Sequence, residues 1–266
     1  MAETVDTLRV RSGSVIGFGH HQKETNNQDG RFVGFSHIKD RIYHYGAVLD
    51  GCTNKTAKGP KSRNEVGASL LAHFIGNEIP LLLSAGLDIK DVPAALYQRC
   101  IGVLGSIART TTIGGIQEMS QFVQTFLLCT IVGFIDDGQS LVFFTAGDGI
   151  IIVNDEIKII DQDDRPTYIG YHLIDRSLLG SHAALLPQTF EVSIYDASTV
   201  RRFAVASDGL KPQASQGIQA VEGIWTNEQE SKAGLQWWLK CNSNESIYRD
   251  DCTVIAAEVV PVKTGG

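Results

Sequence analysis

Apolar runs that stop at an aspartate recur along this chain, and each one marks the end of a strand that can be buried. Tyr45-Gly46-Ala47-Val48-Leu49 stops at Asp50-Gly51, and Arg202-Phe203-Ala204-Val205-Ala206-Ser207 stops at Asp208-Gly209. Asp250-Asp251 instead opens a run, Cys252-Thr253-Val254-Ile255-Ala256-Ala257. Gly147-Asp148-Gly149 separates two more, Ser140 to Ala146 and Ile150 to Val153. Short apolar runs bounded by turn residues read as core strands. Carboxylates at their ends sit on rigid backbone at the rim of a sheet. If they converge, their mutual repulsion needs hard cations to offset it, and Mg²⁺ or Mn²⁺ is the usual answer.

A chain of 266 residues can bury a substantial core as one large domain or two small ones. No internal repeat, low-complexity tract or Pro/Ser-rich linker divides it, which favours a single domain over 1–266 with its core between about 14 and 260. The net charge is −7 and no basic cluster stands out, so nucleic acid is not an expected partner. No uninterrupted apolar stretch is long enough to span a bilayer, and Met1 to Arg11 carries Glu3 and Asp6 without an apolar signal core. The expected setting is therefore cytoplasmic, with no membrane partner. Five cysteines, at 52, 100, 129, 241 and 252, are an odd number without paired zinc spacing and fit a reducing compartment. Cys52 lies two residues past Asp50, but no histidine and aspartate arrangement identifies a base for it.

Early strands are expected at Ser14 to Gly19, Arg31 to Ser36 and Ile42 to Leu49. Val66, Leu70, Leu71, Phe74 and Ile75 then recur at a helical period until Gly76 and Pro80 intervene. A second helix follows Asp91 as N-cap, with Pro93 in its first turn and Val92, Leu96, Cys100, Leu104 and Ile107 on one face. Phe122 to Ile135 and Leu141 to Thr145 read as strands around the turn Asp136-Asp137-Gly138. Ile150 to Val153 and Glu156 to Ile160 do the same around Asn154-Asp155. Thr189 to Tyr195, Arg201 to Ser207 and Cys252 to about Val260 complete the strands. A last helix begins near Asn227, where Glu230 completes a capping-box pattern, and buries Leu235, Trp238 and Leu239. Hairpin-linked strands with helices in separate groups make the class α+β. Asp161 to Pro187 has weak periodicity and reads as a long irregular excursion of the kind that often covers a binding site.

An Asp-Gly pair is common in turns, because Asp caps its own backbone and Gly accepts positive φ. Asp136-Asp137-Gly138 has that role alone. The other motifs differ in occurring jointly at strand ends, together with Asn26-Asn27-Gln28-Asp29 before an early strand. Two cations held roughly 3.5–4 Å apart need a bridging carboxylate and further carboxylates on each side. Other candidates are weaker. His20-His21 would point to opposite faces of a strand, and nothing of zinc-site spacing accompanies them. Gly13, Gly17 and Gly19 lack the Lys-Ser/Thr ending of a phosphate loop. Trp237-Trp238 reads as a helix face meeting the core.

In order, Asn27-Gln28-Asp29, Val48-Leu49-Asp50-Gly51, Ala146-Gly147-Asp148, Ala206-Ser207-Asp208-Gly209-Leu210 and Arg249-Asp250-Asp251-Cys252-Thr253 resemble the metal-dependent protein phosphatases of type 2C. The resemblance runs from about Ser14 to Ala257 and implies a four-layer αββα sandwich with two central antiparallel β-sheets. It also implies Mg²⁺ or Mn²⁺ at one end of the sandwich, as two ions and in bacterial members a third. By position, Asp50 bridges both metals and the Gly51 carbonyl binds one of them, while Asp208 and Asp250 complete the other shell. Asp29 acts as a direct ligand or through a coordinated water. Asp148 matches the aspartate that holds the third, weaker metal together with the Asp208 equivalent. Asp251 stands where the family usually has asparagine, so Asp250 is assigned as the ligand. The catalytic set is then Asp50, Asp208 and Asp250. The implied activity is direct hydrolysis of phosphoserine or phosphothreonine in a phosphorylated protein, by a monomer and without a phospho-enzyme.

Three positions depart from the family pattern. Glu24 stands where members commonly carry a phosphate-binding arginine, which leaves Lys23 or Arg31 as the available cation. Gln28 replaces the glutamate of many relatives. Cys52-Thr53-Asn54 follows Asp50-Gly51 where relatives have histidine, or methionine and glycines. A leaving alkoxide would then take its proton from water or another group. Two further readings stay open: a phosphatase-fold module that binds or regulates, and an enzyme of the same metal site acting on small phosphomonoesters.

Overall fold

The computed structural model describes residues 4–52, 62–162, 167–180, 186–226, 233–243 and 247–263. Among them, strands β1 (Thr4–Val15), β2 (Asp29–Ile38), β3 (Arg41–Gly51), β4 (Cys129–Asp136) and β5 (Ser140–Ala146) are followed by β6 (Gly149–Val153), β7 (Glu156–Ile160), β8 (Glu191–Asp196), β9 (Arg202–Ala206) and β10 (Cys252–Lys263). They pair antiparallel into two five-stranded sheets, ordered β1-β10-β9-β6-β7 and β2-β3-β4-β5-β8. The helices are α1 (Phe18–Gln22), α2 (Glu65–Ser84), α3 (Val92–Thr111), α4 (Gly115–Phe126), α5 (Arg176–Leu179), α6 (Lys211–Ala214), α7 (Ile218–Val221), α8 (Gly223–Thr226) and α9 (Ala233–Asn242).

Alternation along the strands assembles four layers, because successive side chains leave a strand on opposite faces. In β4, Val132 and Phe134 face inward, while Ile131 and Ile135 face α2 and α3. In β9, Phe203 and Val205 face inward, while Ala204 and Ala206 join Leu235 and Leu239 of α9. Where the sheets meet, Phe203 packs edge-on against Phe134 and Phe143, with ring centroids 4.8 and 5.6 Å apart. Helices thus cover both outer faces of two stacked antiparallel sheets, the αββα sandwich expected from the resemblance.

Several expected elements are corrected. Phe122 to Leu127 is not strand: α4 runs to Phe126, and the strand begins at Cys129. The apolar run there spans two elements, with Ser120 and Val123 as the buried turn of the helix. Gly76 and Pro80 do not end α2. A Cβ on Gly76 would lie 3.0 Å from the Phe32 ring, so glycine seats that ring against the helix. An interior proline costs about 3 kcal/mol or more, and burial of Ile75, Ile79, Leu82 and Leu83 around it offsets this. Val66 and Leu70 are exposed, and the buried stripe runs instead through Ala68, Leu71 and Ala72. By length and composition α2 could cross a membrane, but its buried residues pack on β2 and β3, as a core helix does.

Ser14 to Gly19 splits between the end of β1 and α1. Asp91 precedes α3, but its side chain makes no capping hydrogen bond. The proposed cap at Asn227 and Glu230 lies outside the described residues. Trp238 packs against Gly223, whereas Trp237 is exposed rather than turned to the core. The excursion from Asp161 to Pro187 is less irregular than its composition suggests. It holds a 3₁₀ turn at Ile169–Leu173 and α5, and Tyr168, Ile169 and Leu179 enter the core beside α3. The Tyr97 hydroxyl donates to the Pro187 carbonyl at 2.9 Å and pins its far end.

Candidate metal centre

Register places the acidic motifs at one end of the sandwich. Asp29 and Asp50 are directly paired across β2 and β3. Asp208 opens the 3₁₀ turn after β9, and Asp250 precedes β10, the neighbour of β9. Ser207 joins the two sheets here: its hydroxyl donates to Asp29 Oδ2 at 2.9 Å and accepts from the Thr253 amide at 2.9 Å. Gly51 is held by its amide, which donates to the Gln28 carbonyl at 3.1 Å.

Close backbone packing lets these loops meet. A Cβ on Gly209 would lie 1.9 Å from the Asp251 carbonyl oxygen, and one on Gly17 would lie 2.2 Å from the Asp250 carbonyl carbon. Neither position admits another residue without moving the Asp250-Asp251 segment.

The electrostatics fit a cation site. Burial raises the Asp50 carboxyl well above the usual carboxylate range, and the charges of Asp29, Asp208 and Asp250 push it further, with a carboxyl–carboxyl hydrogen bond to Asp208. Burial likewise lifts Asp29, to about 7, although hydrogen bonds from Thr253 and Ser207 work against the shift. Asp250 is raised by burial and then by the charge of Asp208. Asp29 Oδ1 and Asp208 Oδ1 are buried with no hydrogen-bond partner. Unpaired buried carboxylate oxygens are costly. An all-oxygen set of four carboxylates and the Gly51 carbonyl is the chemistry that hard divalent cations prefer.

The aspartates adjacent in sequence divide their work. Asp251 is buried; its Oδ1 accepts from the Gly17 amide at 2.8 Å and its Oδ2 from the Gln28 amide at 2.5 Å. His20 Nδ1 lies 3.0 Å from that same oxygen. Asp251 therefore fastens the segment before β2, while the side chain of Asp250 is 52% exposed and accepts from the Asp251 amide through Oδ1 at 2.9 Å. The strand expected at His20-His21 is not formed: His20 lies in α1, where it packs buried and is not a strand residue. Among the described residues, His20, Asp250 and Asp251 place ligand atoms within 4.8 Å of one another. The hydrogen bond that His20 donates to Asp251 raises its pKa and favours the imidazolium, which pairs with carboxylates and has no lone pair to offer a metal on that nitrogen.

Asp148 sits in the turn between β5 and β6, and its Oδ1 accepts from the Gln162 amide at 2.8 Å. Cys52 donates its amide to the Leu128 carbonyl at 2.9 Å, and its thiol is hydrogen-bonded to Tyr168, which also feels the charge of Asp50. The excursion thus reaches the edge of the centre through Tyr168. Thr53 and Asn54 lie outside the described residues. Sequence reading missed Asn64, fully buried, whose side chain donates to the Cys52 carbonyl at 2.7 Å and accepts from the Leu128 amide at 2.9 Å. No local signal marks it, since its partners lie far along the chain.

The sequence profile of the protein phosphatase 2C family matches residues 16–245, and the chain belongs to that family. Its fold is shared with a serine/threonine protein phosphatase PstP catalytic domain solved with two manganese ions, at TM-score 0.57 and 18% identity, covering 96% of this chain and 100% of that one. Stp1 from Staphylococcus aureus matches at TM-score 0.55 and 13% identity over 96% of each chain. RsbX in complex with magnesium matches at TM-score 0.52 and 12% identity, covering 98% of this chain and 100% of that one. Among curated protein sequences nothing matches.

Proposed function

We propose that this chain is a metal-dependent phosphoserine/phosphothreonine phosphatase with a dinuclear Mg²⁺ or Mn²⁺ centre. The observation that carries this reading is the convergence of Asp29, Asp50, Asp208 and Asp250, two of them with buried, unpartnered oxygens. Asp50, the Gly51 carbonyl, Asp208 and Asp250 would hold the cations. Asp29, fixed by Ser207, would complete the set. Cations bound there would supply Lewis acidity toward the phosphoryl oxygens and the attacking water. The relatives named as serine/threonine phosphatases, PstP and Stp1, support the substrate class, and PstP solved with manganese and RsbX solved with magnesium support the ions.

Arg31 is the cation best placed to hold the phosphate in the absence of the usual arginine. It follows Asp29 by two positions, hence on the same face of β2, and interacts with the Asp29 charge. Among the described residues its guanidinium has no ion pair, so its planar fork is available for a bidentate phosphate contact.

Turnover of a phosphothreonine peptide with Mn²⁺, set against a nucleoside monophosphate, tests this reading. Preference for the peptide is expected, with Arg31→Ala raising its KM. Preference for the nucleotide would move the substrate class to small phosphomonoesters. Metal binding without turnover of either would favour a binding or regulatory module, the reading that Glu24 and Cys52 motivate.

A further inference from the structure

Next to the proposed dinuclear centre, three loops deliver a second acidic group together with a lysine. Asp148 comes from the β5–β6 turn, Asp161 from the end of β7, and Asp208 from the turn after β9. Lys211, the first residue of α6, stands three positions past Asp208 and forms an ion pair with Asp161. Its ammonium also interacts with the charges of Asp208 and Asp148, and Asp148 in turn interacts with Asp161 and Asp208. One oxygen of Asp148 is already taken by the Gln162 amide.

We infer that Lys211 is a built-in cation that occupies the place of a third metal ion, so that this chain holds two divalent ions where Asp148 and Asp208 would otherwise recruit another. The inference rests on the dinuclear reading above. Its physical basis is charge. A divalent ion held by Asp148 and Asp208 would be repelled by the Lys211 ammonium, which interacts with both carboxylates and is fixed beside them by its ion pair with Asp161. The ammonium neutralises part of the same charge without needing a coordination shell, and it does so at any metal concentration. Asp148 is then a positioning residue that holds the Gln162 backbone, next to the Asp161 that pairs with Lys211, rather than a metal ligand.

Calorimetric titration with Mn²⁺, with the bound ion counted after gel filtration, tests this on the full chain. Wild type is expected to bind two ions, Lys211→Met a third and weaker one, and Lys211→Met with Asp148→Asn two again. Lys211→Arg, which keeps the charge, should bind two and serves as the control for folding. Three ions in wild type, or no additional ion in Lys211→Met, would overturn the role of Lys211 while leaving the dinuclear reading intact. Wild type that binds no Mn²⁺ would overturn both.

Discussion

At Asp29 a single side chain would tie stability to the proposed cation binding. Its carboxyl is raised by burial to about 7, so the metal-free folded chain holds a proton that the unfolded chain releases. For a group raised in this way, the favourable contribution is complete below the ordinary carboxylate range and is lost as pH rises through about 7. Thermal unfolding in EDTA should therefore show stability falling between about pH 4 and pH 7, and Asp29→Asn should flatten that slope. A slope unchanged by the substitution would place the titration elsewhere. Mn²⁺ should abolish the loss at neutral pH, because an ion takes the place of the proton. Ser207 acts one step out, through its hydroxyl on Asp29 Oδ2. Ser207→Ala should weaken Mn²⁺ binding by about 10–100-fold, the range typical for groups that orient ligands, while the fold persists. Undiminished affinity in calorimetry would show that Asp29 needs no such support.

Two of the elements that carry the site meet backbone to backbone. The turn after β9 lies so close to the start of β10 that Gly209 has no room for a Cβ beside the Asp251 carbonyl. Gly209→Ala should cost about 1–3 kcal/mol, as overpacked positions do, and lower metal affinity as well, because Asp250 moves with Asp251. Loss of stability alone, read by denaturant unfolding beside metal titration, would show that the segment yields without disturbing the centre. Strands such as β5, β6 and β9 were legible because their apolar runs are short and end at turn residues. The helix α4 was not. Its apolar residues run straight into those of β4, and Phe122 and Phe126 fit a strand as readily as the helix that holds them. Pro80 misled in the other direction, since tertiary burial of α2 outweighs the local penalty of a proline.

At the scale of the whole molecule, two stacked sheets give the site its rigidity: β2 and β3 present Asp29 and Asp50, and β9 and β10 present Asp208 and Asp250. The order of these motifs was readable in the sequence because each aspartate sits at a strand end. What holds them was not. Asp251 reaches Gly17 and Gln28, and Asn64 reaches Cys52 and Leu128, by contacts that only the folded topology creates. The division of labour between Asp250 and Asp251 follows from those contacts. The departures at Glu24 and Cys52 leave this carboxylate frame in place, since neither belongs to it. The most direct measurement is the rate of phosphate release from a phosphothreonine peptide in Mn²⁺ and in EDTA, for wild type and Asp50→Asn. Release should require Mn²⁺ and fall by about 10²–10³-fold or more in Asp50→Asn, the loss seen when one main electrostatic group is removed from a catalytic site. Full activity in EDTA, or in Asp50→Asn, would contradict the assignment of these carboxylates as a metal-dependent phosphatase centre.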